Sequence, residues 1–296
     1  MTLTLSTRKT SRDFPVLAGV DFTSRPRPAK PIALALGRGV TGGVALDSLH
    51  LLPDFASLAQ WLGKPGAWLA AFDFPFGLPR ELVVQLGWPL SWPELIAHYA
   101  GLSREQIRTT FAAFCAARPP GSKFAHRASD RPAGASPSMK WVNPPVAYML
   151  HAGAPLLLAS GVHLPGLHDG DRRRVALEGY PGLLARELIG RRSYKSDTKA
   201  RQDEPRRQAR TALIEALEQG RTRLALHLLL SQSQRKALID DASADQLDAV
   251  LCLVQAAWSA AQPNFGLPQQ VDPLEGWIAT ATQVVTAGAA APPTAR

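Results

Sequence analysis

Short apolar runs alternate with turn residues in the first third of the chain, a pattern that predicts β-strands. The predicted strands are 14–22, 32–36, 44–52 and 67–72. Between the third and the fourth strand, Asp54 is placed to cap a short helix that carries Leu58, Trp61 and Leu62 on one side. The expected order is therefore three strands, a helix and a fourth strand.

Helical spacing dominates the chain after residue 79. Helices are predicted at 80–87, 93–100, 103–117 and 146–160, with a polar loop at 118–141. A fifth strand at 173–177 is followed by predicted helices at 182–190, about 203–220, 221–238 and 244–261. We interpret 80–169 as a mostly helical insertion into a discontinuous α/β core over 14–79 and 170–286, with helical elaboration at 182–240 and flexible ends at 1–13 and 287–296.

The last predicted helix has a specific start signal. Ser243 is followed three residues later by Gln246, which is the spacing of a capping box. An apolar stripe at helical spacing then follows, formed by Leu247, Val250, Leu251, Val254 and Trp258. This segment is expected to be a helix packed on the core.

Composition narrows the class of protein. Of the 296 residues, 46% are hydrophobic and 19% are charged, which is ordinary for a globular chain and too apolar for a disordered one. No run of about 18 apolar residues is free of polar breaks, and the N-terminus lacks the apolar core of a signal peptide, so no membrane association is expected. Cys115 and Cys252 form no CxxC pair, which favours a reducing, cytoplasmic location.

One glycine-rich motif resembles a dinucleotide site but lacks its context. Residues 37–42 match GxGxxG, yet the following Val44-Ala45-Leu46 is typical of a strand, whereas a pyrophosphate site needs a helix there. We therefore interpret the motif as a β-hairpin turn. The chain also contains no P-loop lysine motif, no HExxH and no GxSxG, and its seven histidines show no metal-ligand spacing.

Acidic residues stand at the ends of two predicted strands. Asp21 ends the first strand and Asp73 ends the fourth, each among apolar neighbours. A carboxylate buried in such a setting is costly unless it is paired, hydrogen-bonded or bound to a metal. If these two strands are adjacent and parallel, the carboxylates lie side by side, and a divalent cation relieves their repulsion.

Three further acids extend this pattern. Glu178 follows the fifth strand, and Asp245 and Asp248 lie three residues apart on one face of the last helix. Each acid has a structural alternative: Asp21 and Asp73 as turn caps, Asp245 and Asp248 near the positive end of a helix dipole, Glu178 as the partner of a nearby arginine. Their joint placement nevertheless suggests a two-metal phosphoryl-transfer site for Mg²⁺ or Mn²⁺.

The positive charge is concentrated after the fifth strand. The chain has 33 basic and 24 acidic residues and a formal charge of +9, which permits a polyanionic partner. Residues 172–210 hold much of this excess. We select Lys195 and Arg207 as candidate phosphate contacts, Arg127 as part of a loop that closes over the site, and Tyr180 as a candidate for stacking on a base. The alternative is an ordinary solvated, ion-paired face.

Six stretches of the chain form a recognisable set: GVDFTSRP at 19–26, DFPFGLP at 73–79, NPPVAYMLHAG at 143–153, EGYPGLLARELIGRRSYKSD at 178–197, DQLDAVLCLVQAAW at 245–258 and LEGWI at 274–278. Together they resemble a bacterial family called domain of unknown function 429, which groups predicted ribonuclease H-like nucleases. The resemblance implies a ribonuclease H-like mixed five-stranded sheet flanked by helices, with the insertion between strands 4 and 5. It also implies that Asp21, Asp73 and Asp248 bind the metal.

The expected function is metal-dependent hydrolysis of phosphodiester bonds in nucleic acid. One alternative is a metal-dependent phosphoryl-transfer enzyme that acts on a small phosphorylated molecule, with activity that depends little on polymer length. Another is a non-catalytic nucleic-acid-binding protein of the same fold, with salt-sensitive affinity and no cleavage. The helical insertion is compatible with a lid or with a homodimer surface.

Overall fold

The structure is a computed structural model that describes residues 14–282. Its centre is a mixed seven-stranded sheet. The strands are β1 (Val16–Asp21), β2 (Ile32–Val40), β3 (Gly43–Leu52), β4 (Trp68–Phe72), β5 (Val162–His163), β6 (Asp171–Glu178) and β7 (His227–Leu229). Their order across the sheet is β5-β6-β4-β1-β2-β3-β7, so the sheet is open, with the two shortest strands at its edges.

The β1–β4 pair sets the position of two acids. These strands are adjacent and parallel, with Val20 opposite Phe72, which is the condition under which the sequence predicts Asp21 and Asp73 to lie side by side. The amide of Asp73 donates to the Val20 carbonyl oxygen at 2.8 Å, which continues the pairing past the end of β4. Because parallel strands end at the same edge of a sheet, Asp21 and Asp73 emerge together.

Ten α-helices lie within the described part of the chain. They are α1 (Phe55–Leu62), α2 (Arg80–Gln85), α3 (Trp92–Ala100), α4 (Arg104–Ala116), α5 (Asp130–Ala133), α6 (Val146–Ser160), α7 (Pro181–Ile189), α8 (Glu204–Glu218), α9 (Gln232–Asp240) and α10 (Asp245–Ala260). None of them is both long and apolar enough to cross a lipid bilayer. Helices α2 to α6 and the short strand β5 lie between residues 80 and 169. The interpretation of this segment as an insertion stays a prediction.

Helices cover both faces of the sheet. Alternate residues of β1 enter separate cores, Leu17 packing with α7–α10 and Ala18 with α1–α4 and α6. Helix α10 packs directly on β1 at Gly19, where a Cβ would lie 2.0 Å from the Ala249 carbonyl oxygen and 2.2 Å from the Leu253 nitrogen. Glycine is therefore required at this position, and it brings the start of α10 close to the end of β1.

The hairpin interpretation of residues 37–42 is confirmed. Strands β2 and β3 pair in antiparallel fashion around Thr41 and Gly42. Gly42 has φ of 73°, a left-handed conformation that glycine adopts without steric cost.

Two sequence predictions about secondary structure are wrong. The sheet has seven strands instead of five, because β5 and β7 are only two and three residues long and carry no readable alternation. The predicted helix at 221–238 is instead β7 followed by α9. Ala225 has φ of 52°, which a right-handed helix does not permit, and the chain then pairs with Gly43 at the edge of the sheet.

The predicted capping box at Ser243 is also wrong. Ala244 caps α10 with φ of 58°, and the Gln246 amide donates to Oδ2 of Asp241 at 3.1 Å. The same S-x-x-Q spacing forms a true capping box at Ser231, whose hydroxyl accepts from the Gln234 amide at 3.2 Å. The proposed domain boundaries stay a prediction, and the ends at 1–13 and 287–296 lie outside the described residues.

Candidate metal centre

Three carboxylates meet at the edge of the sheet where β1 and β4 end. Asp21 is the last residue of β1, Asp73 follows β4, and Asp248 lies in the first turn of α10. Each contributes an oxygen to a cluster in which these atoms lie within 4.8 Å of one another. The structure therefore brings together the three aspartates for which the sequence resemblance implied a metal-binding role. Such closely spaced hard oxygen atoms suit Mg²⁺ or Mn²⁺.

The three acids differ in how they are satisfied. Asp248 is fully buried; its Oδ1 accepts from the Tyr194 hydroxyl at 2.6 Å and its Oδ2 is ion-paired with the Lys195 ammonium. Asp21 is only 9% exposed, yet neither its carboxylate nor that of Asp73 has a hydrogen bond or ion-pair partner among the side chains that the structure describes. A buried, unpartnered carboxylate is costly, and a bound cation removes that cost.

The electrostatics of the cluster disfavour ionisation of all three carboxyl groups at once. Burial, and then the charge of Asp248, raises the pKa of Asp21 well above its ordinary value. The same two causes raise the pKa of Asp73 from 3.8 to about 7. Without a cation the cluster therefore holds protons that isolated aspartates release, whereas a divalent ion favours the ionised form.

These pKa shifts predict how metal binding and pH act together on stability. For an acid whose pKa is raised by folding, the folded state holds the extra proton, so the free energy of unfolding falls as pH rises toward the folded pKa. In EDTA this loss is expected as pH rises from about 4 to about 7, and Mg²⁺ should raise Tm more near pH 7.5 than near pH 5. Thermal unfolding with and without Mg²⁺ measures the difference. In Asp73→Asn, the rise in Tm caused by Mg²⁺ should depend less on pH. An equal rise in Tm at both pH values in the wild-type protein would contradict the prediction.

Asp245 lies beside the cluster rather than in it. Its Oδ1 is 3.3 Å from the Lys30 ammonium, which also lies 2.6 Å from Oδ1 of Asp197. Asp245 is thus ion-paired with a lysine of the protein. Its role as a metal ligand stays a prediction.

Glu178 is occupied by Arg127. The guanidinium donates to both carboxylate oxygens, at 2.6 and 2.7 Å, and to Oδ1 of Asp130 at 2.8 Å. The Phe76 amide donates to Oε2 of Glu178 at 2.9 Å. All three charged side chains are buried. Arg127 therefore joins the segment before α5 to the end of β6, and Glu178 does not belong to the group of converging oxygens.

A small cavity opens beside Asp73. Its volume is about 70 Å³. Its apolar walls include Phe74, Met149 and Ile278, and Arg127, Glu178 and Tyr180 also line it. Two of the candidate substrate contacts, Arg127 and Tyr180, therefore line a cavity that also borders Asp73, although Arg127 is already neutralised by acids. Their role in substrate binding stays a prediction. The Tyr180 ring is covered by the Arg186 guanidinium, 5.1 Å from its centroid.

Arg207 lies elsewhere. It is exposed on α8, with Nη2 3.6 Å from the Asp240 carboxylate, and it lines a separate surface pocket that contains none of the three clustered aspartates. Its role in binding nucleic acid stays a prediction.

Sequence reasoning missed the residues that hold Lys195 in place. Buried Arg210 donates to the carbonyl oxygens of Tyr194 at 2.9 Å and Ile239 at 2.7 Å. The Tyr194 hydroxyl donates to Oδ1 of Asp248. The one available signal was a tyrosine next to the lysine in a basic segment, which does not reveal its partner.

Fold and site together define the class: a mixed α/β protein with a carboxylate cluster at one edge of an open sheet, suited to a divalent cation. The chain belongs to the family described as "Protein of unknown function (DUF429)", whose model matches residues 19–270. The family predicted from the sequence motifs is thus confirmed. Neither the curated proteins nor the solved structures contain a match to the chain.

Proposed function

We propose that the protein is a ribonuclease H-like, divalent-metal-dependent nuclease that hydrolyses phosphodiester bonds of nucleic acid. The observation that carries the proposal is the convergence of the Asp21, Asp73 and Asp248 carboxylates, each with an oxygen within 4.8 Å of the others, at one edge of the sheet. The placement of the acids adds support. They lie at the ends of β1 and β4, which are neighbours in the strand order β3-β2-β1-β4-β6, and at the start of α10, and these are the three aspartates that the family resemblance implied.

The three aspartates would hold Mg²⁺ or Mn²⁺ through carboxylate oxygens. When bound, such an ion supplies Lewis-acid stabilisation of a phosphoryl oxygen and lowers the pKa of bound water. The Tyr194 hydroxyl fixes the orientation of the Asp248 carboxylate, and the register of β1 and β4 fixes Asp21 beside Asp73. The chain thereby holds its acidic groups in place before substrate arrives, so little reorganisation is needed.

The surroundings of the cluster favour a phosphate-containing substrate. Lys195 lies at the cluster with a side chain that is 45% exposed, so a cationic residue borders the place where an anionic substrate would approach. The cavity beside Asp73 has apolar walls and is large enough for only part of a nucleotide. The formal charge of +9 favours association with a polyanion.

A substrate panel tests the proposal. Labelled single-stranded, duplex and branched DNA and RNA are incubated with Mg²⁺, Mn²⁺ or EDTA, and a small phosphodiester is included for comparison. We expect cleavage of at least one polymer with a divalent ion and none in EDTA. If metal-loaded protein leaves every polymer intact, the nuclease proposal is wrong. Turnover of the small phosphodiester alone would support the small-molecule alternative, and salt-sensitive binding without cleavage would support the non-catalytic one.

A further inference from the structure

The Lys195 ammonium occupies the candidate metal centre from one side. It is ion-paired with Oδ2 of Asp248, and it also interacts electrostatically with Asp21 and Asp73. Tyr194 takes the other oxygen of Asp248, at 2.6 Å. Asp248 is therefore fully engaged, whereas the other two carboxylates have no hydrogen bond or ion pair within residues 14–282.

The backbone that carries Lys195 is fixed on both sides. We call residues 194–197 the strap. Arg210 holds the Tyr194 carbonyl oxygen at 2.9 Å, and the Ser196 amide donates to the Ala242 carbonyl oxygen at 3.1 Å. Asp197, at the far end, is 2.6 Å from the Lys30 ammonium. The strap is thus anchored, while the flexible four-carbon stem of Lys195 lets its ammonium move.

The charges of the three carboxylates and of the Lys195 ammonium indicate how this arrangement would respond to a metal ion. With all three carboxylates ionised, one ammonium leaves two negative charges, so Lys195 alone neutralises the ionised cluster only in part. A divalent ion interacts more strongly with the same oxygens than a single positive charge does, and it repels the ammonium beside it.

We infer that Lys195 is the built-in counter-cation of the metal-free cluster and that a divalent ion displaces it from Asp248. The inference rests on the proposed metal site. Once displaced, the ammonium is available to an anionic substrate at the same place, so loading of metal and contact with a phosphate are coupled through one side chain.

Metal titration tests the inference without measuring cleavage. Mn²⁺ is titrated calorimetrically into wild-type protein, Lys195→Met and Lys195→Arg, with Lys236→Met as a matched control because Lys236 is an exposed lysine paired with Asp240 on α9. Removing the competing charge is expected to tighten Mn²⁺ binding about tenfold or more in Lys195→Met. Lys195→Arg and Lys236→Met should stay close to wild type.

Amine labelling provides a second measurement on the wild-type protein. Acetylation of each lysine is quantified by peptide mass spectrometry with and without Mn²⁺, and Lys236 serves as the internal reference. We expect Mn²⁺ to accelerate labelling of Lys195 but not of Lys236. In Asp248→Asn the Lys195 amine should label rapidly even without Mn²⁺.

The outcomes separate this inference from the proposed function. If Mn²⁺ binds but Lys195→Met binds it no more tightly, or Lys195 labelling ignores Mn²⁺, the counter-cation role is wrong and the metal site stands. If neither wild type nor variant binds Mn²⁺, both proposals fail. Tighter binding in Lys195→Met together with Mn²⁺-dependent labelling supports the inference, whatever substrate the panel identifies.

Discussion

Replacing Asp21 by asparagine is expected to abolish metal-dependent cleavage while making the metal-free fold more stable. The substitution keeps the shape of the side chain but removes an acid that has no hydrogen bond or ion pair within residues 14–282. Loss of its charge weakens divalent-ion binding, and we expect cleavage to fall by about 1,000-fold or more, equivalent to roughly 4 kcal/mol of transition-state stabilisation.

The gain in stability follows from the same electrostatics. Because burial and Asp248 raise the pKa of Asp21 well above its ordinary value, the charged form is unfavourable in the folded protein, and asparagine imitates the neutral form. Tm of Asp21→Asn in EDTA near neutral pH should therefore exceed that of wild type, and Mn²⁺ should raise it less. Loss of function combined with higher stability is typical of a residue kept for chemistry.

Asp169→Asn is the matched control. Asp169 is an exposed acid with a side chain 72% accessible, paired with Arg172. It should retain wild-type cleavage, metal binding and Tm. Full cleavage by Asp21→Asn, in protein free of contaminating nuclease, would refute the assignment of the site. A fall in both cleavage and metal-free Tm would instead indicate that Asp21 serves the fold.

The parts of the fold that were predictable have local signals. Strands β1 and β4 are runs of five or more apolar or small residues followed by a single acid, so both the strands and the acids at their ends can be read from the sequence. The incorrect predictions arise where one local sequence pattern is compatible with two structures and a tertiary contact selects between them. The S-x-x-Q spacing forms a capping box at Ser231 but not at Ser243, because the Asp241 carboxylate takes the Gln246 amide there. Nothing within either tetrapeptide distinguishes them.

The candidate site likewise has a part that the sequence predicts and a part that it does not. The three aspartates follow from strand ends and one helix face, which are periodic features. The supporting contacts do not: Lys30 and Asp197 are 167 residues apart, and the strap lies in a stretch without helical or strand periodicity. Glu178 illustrates the limit, because a strand-end acid has the same local pattern whether it faces a metal or, as here, a buried arginine from a loop 51 residues away.

Replacing Arg127 by methionine is expected to destabilise the protein by about 3–5 kcal/mol, since removing one partner of a buried ion pair leaves uncompensated charge. Arg127, Glu178 and Asp130 are all at most 4% exposed, and Arg127 is the cation that neutralises both acids. Burial already raises the pKa of Glu178 despite the arginine, so in the variant Glu178 should take up a proton more readily. The loss should therefore be smaller near pH 5 than near pH 8.

Chemical denaturation at the two pH values measures the effect, and two further variants identify its cause. Arg172→Met removes an exposed pair, 3.0 Å from Asp169, and should cost no more than about 1 kcal/mol. Adding Glu178→Gln to Arg127→Met should recover part of the loss, because the second change removes one of the stranded charges. If Arg127→Met costs no more than Arg172→Met, the buried pair is not what fastens the segment before α5 to the end of β6, and the wall of the cavity beside Asp73 must be held by other contacts.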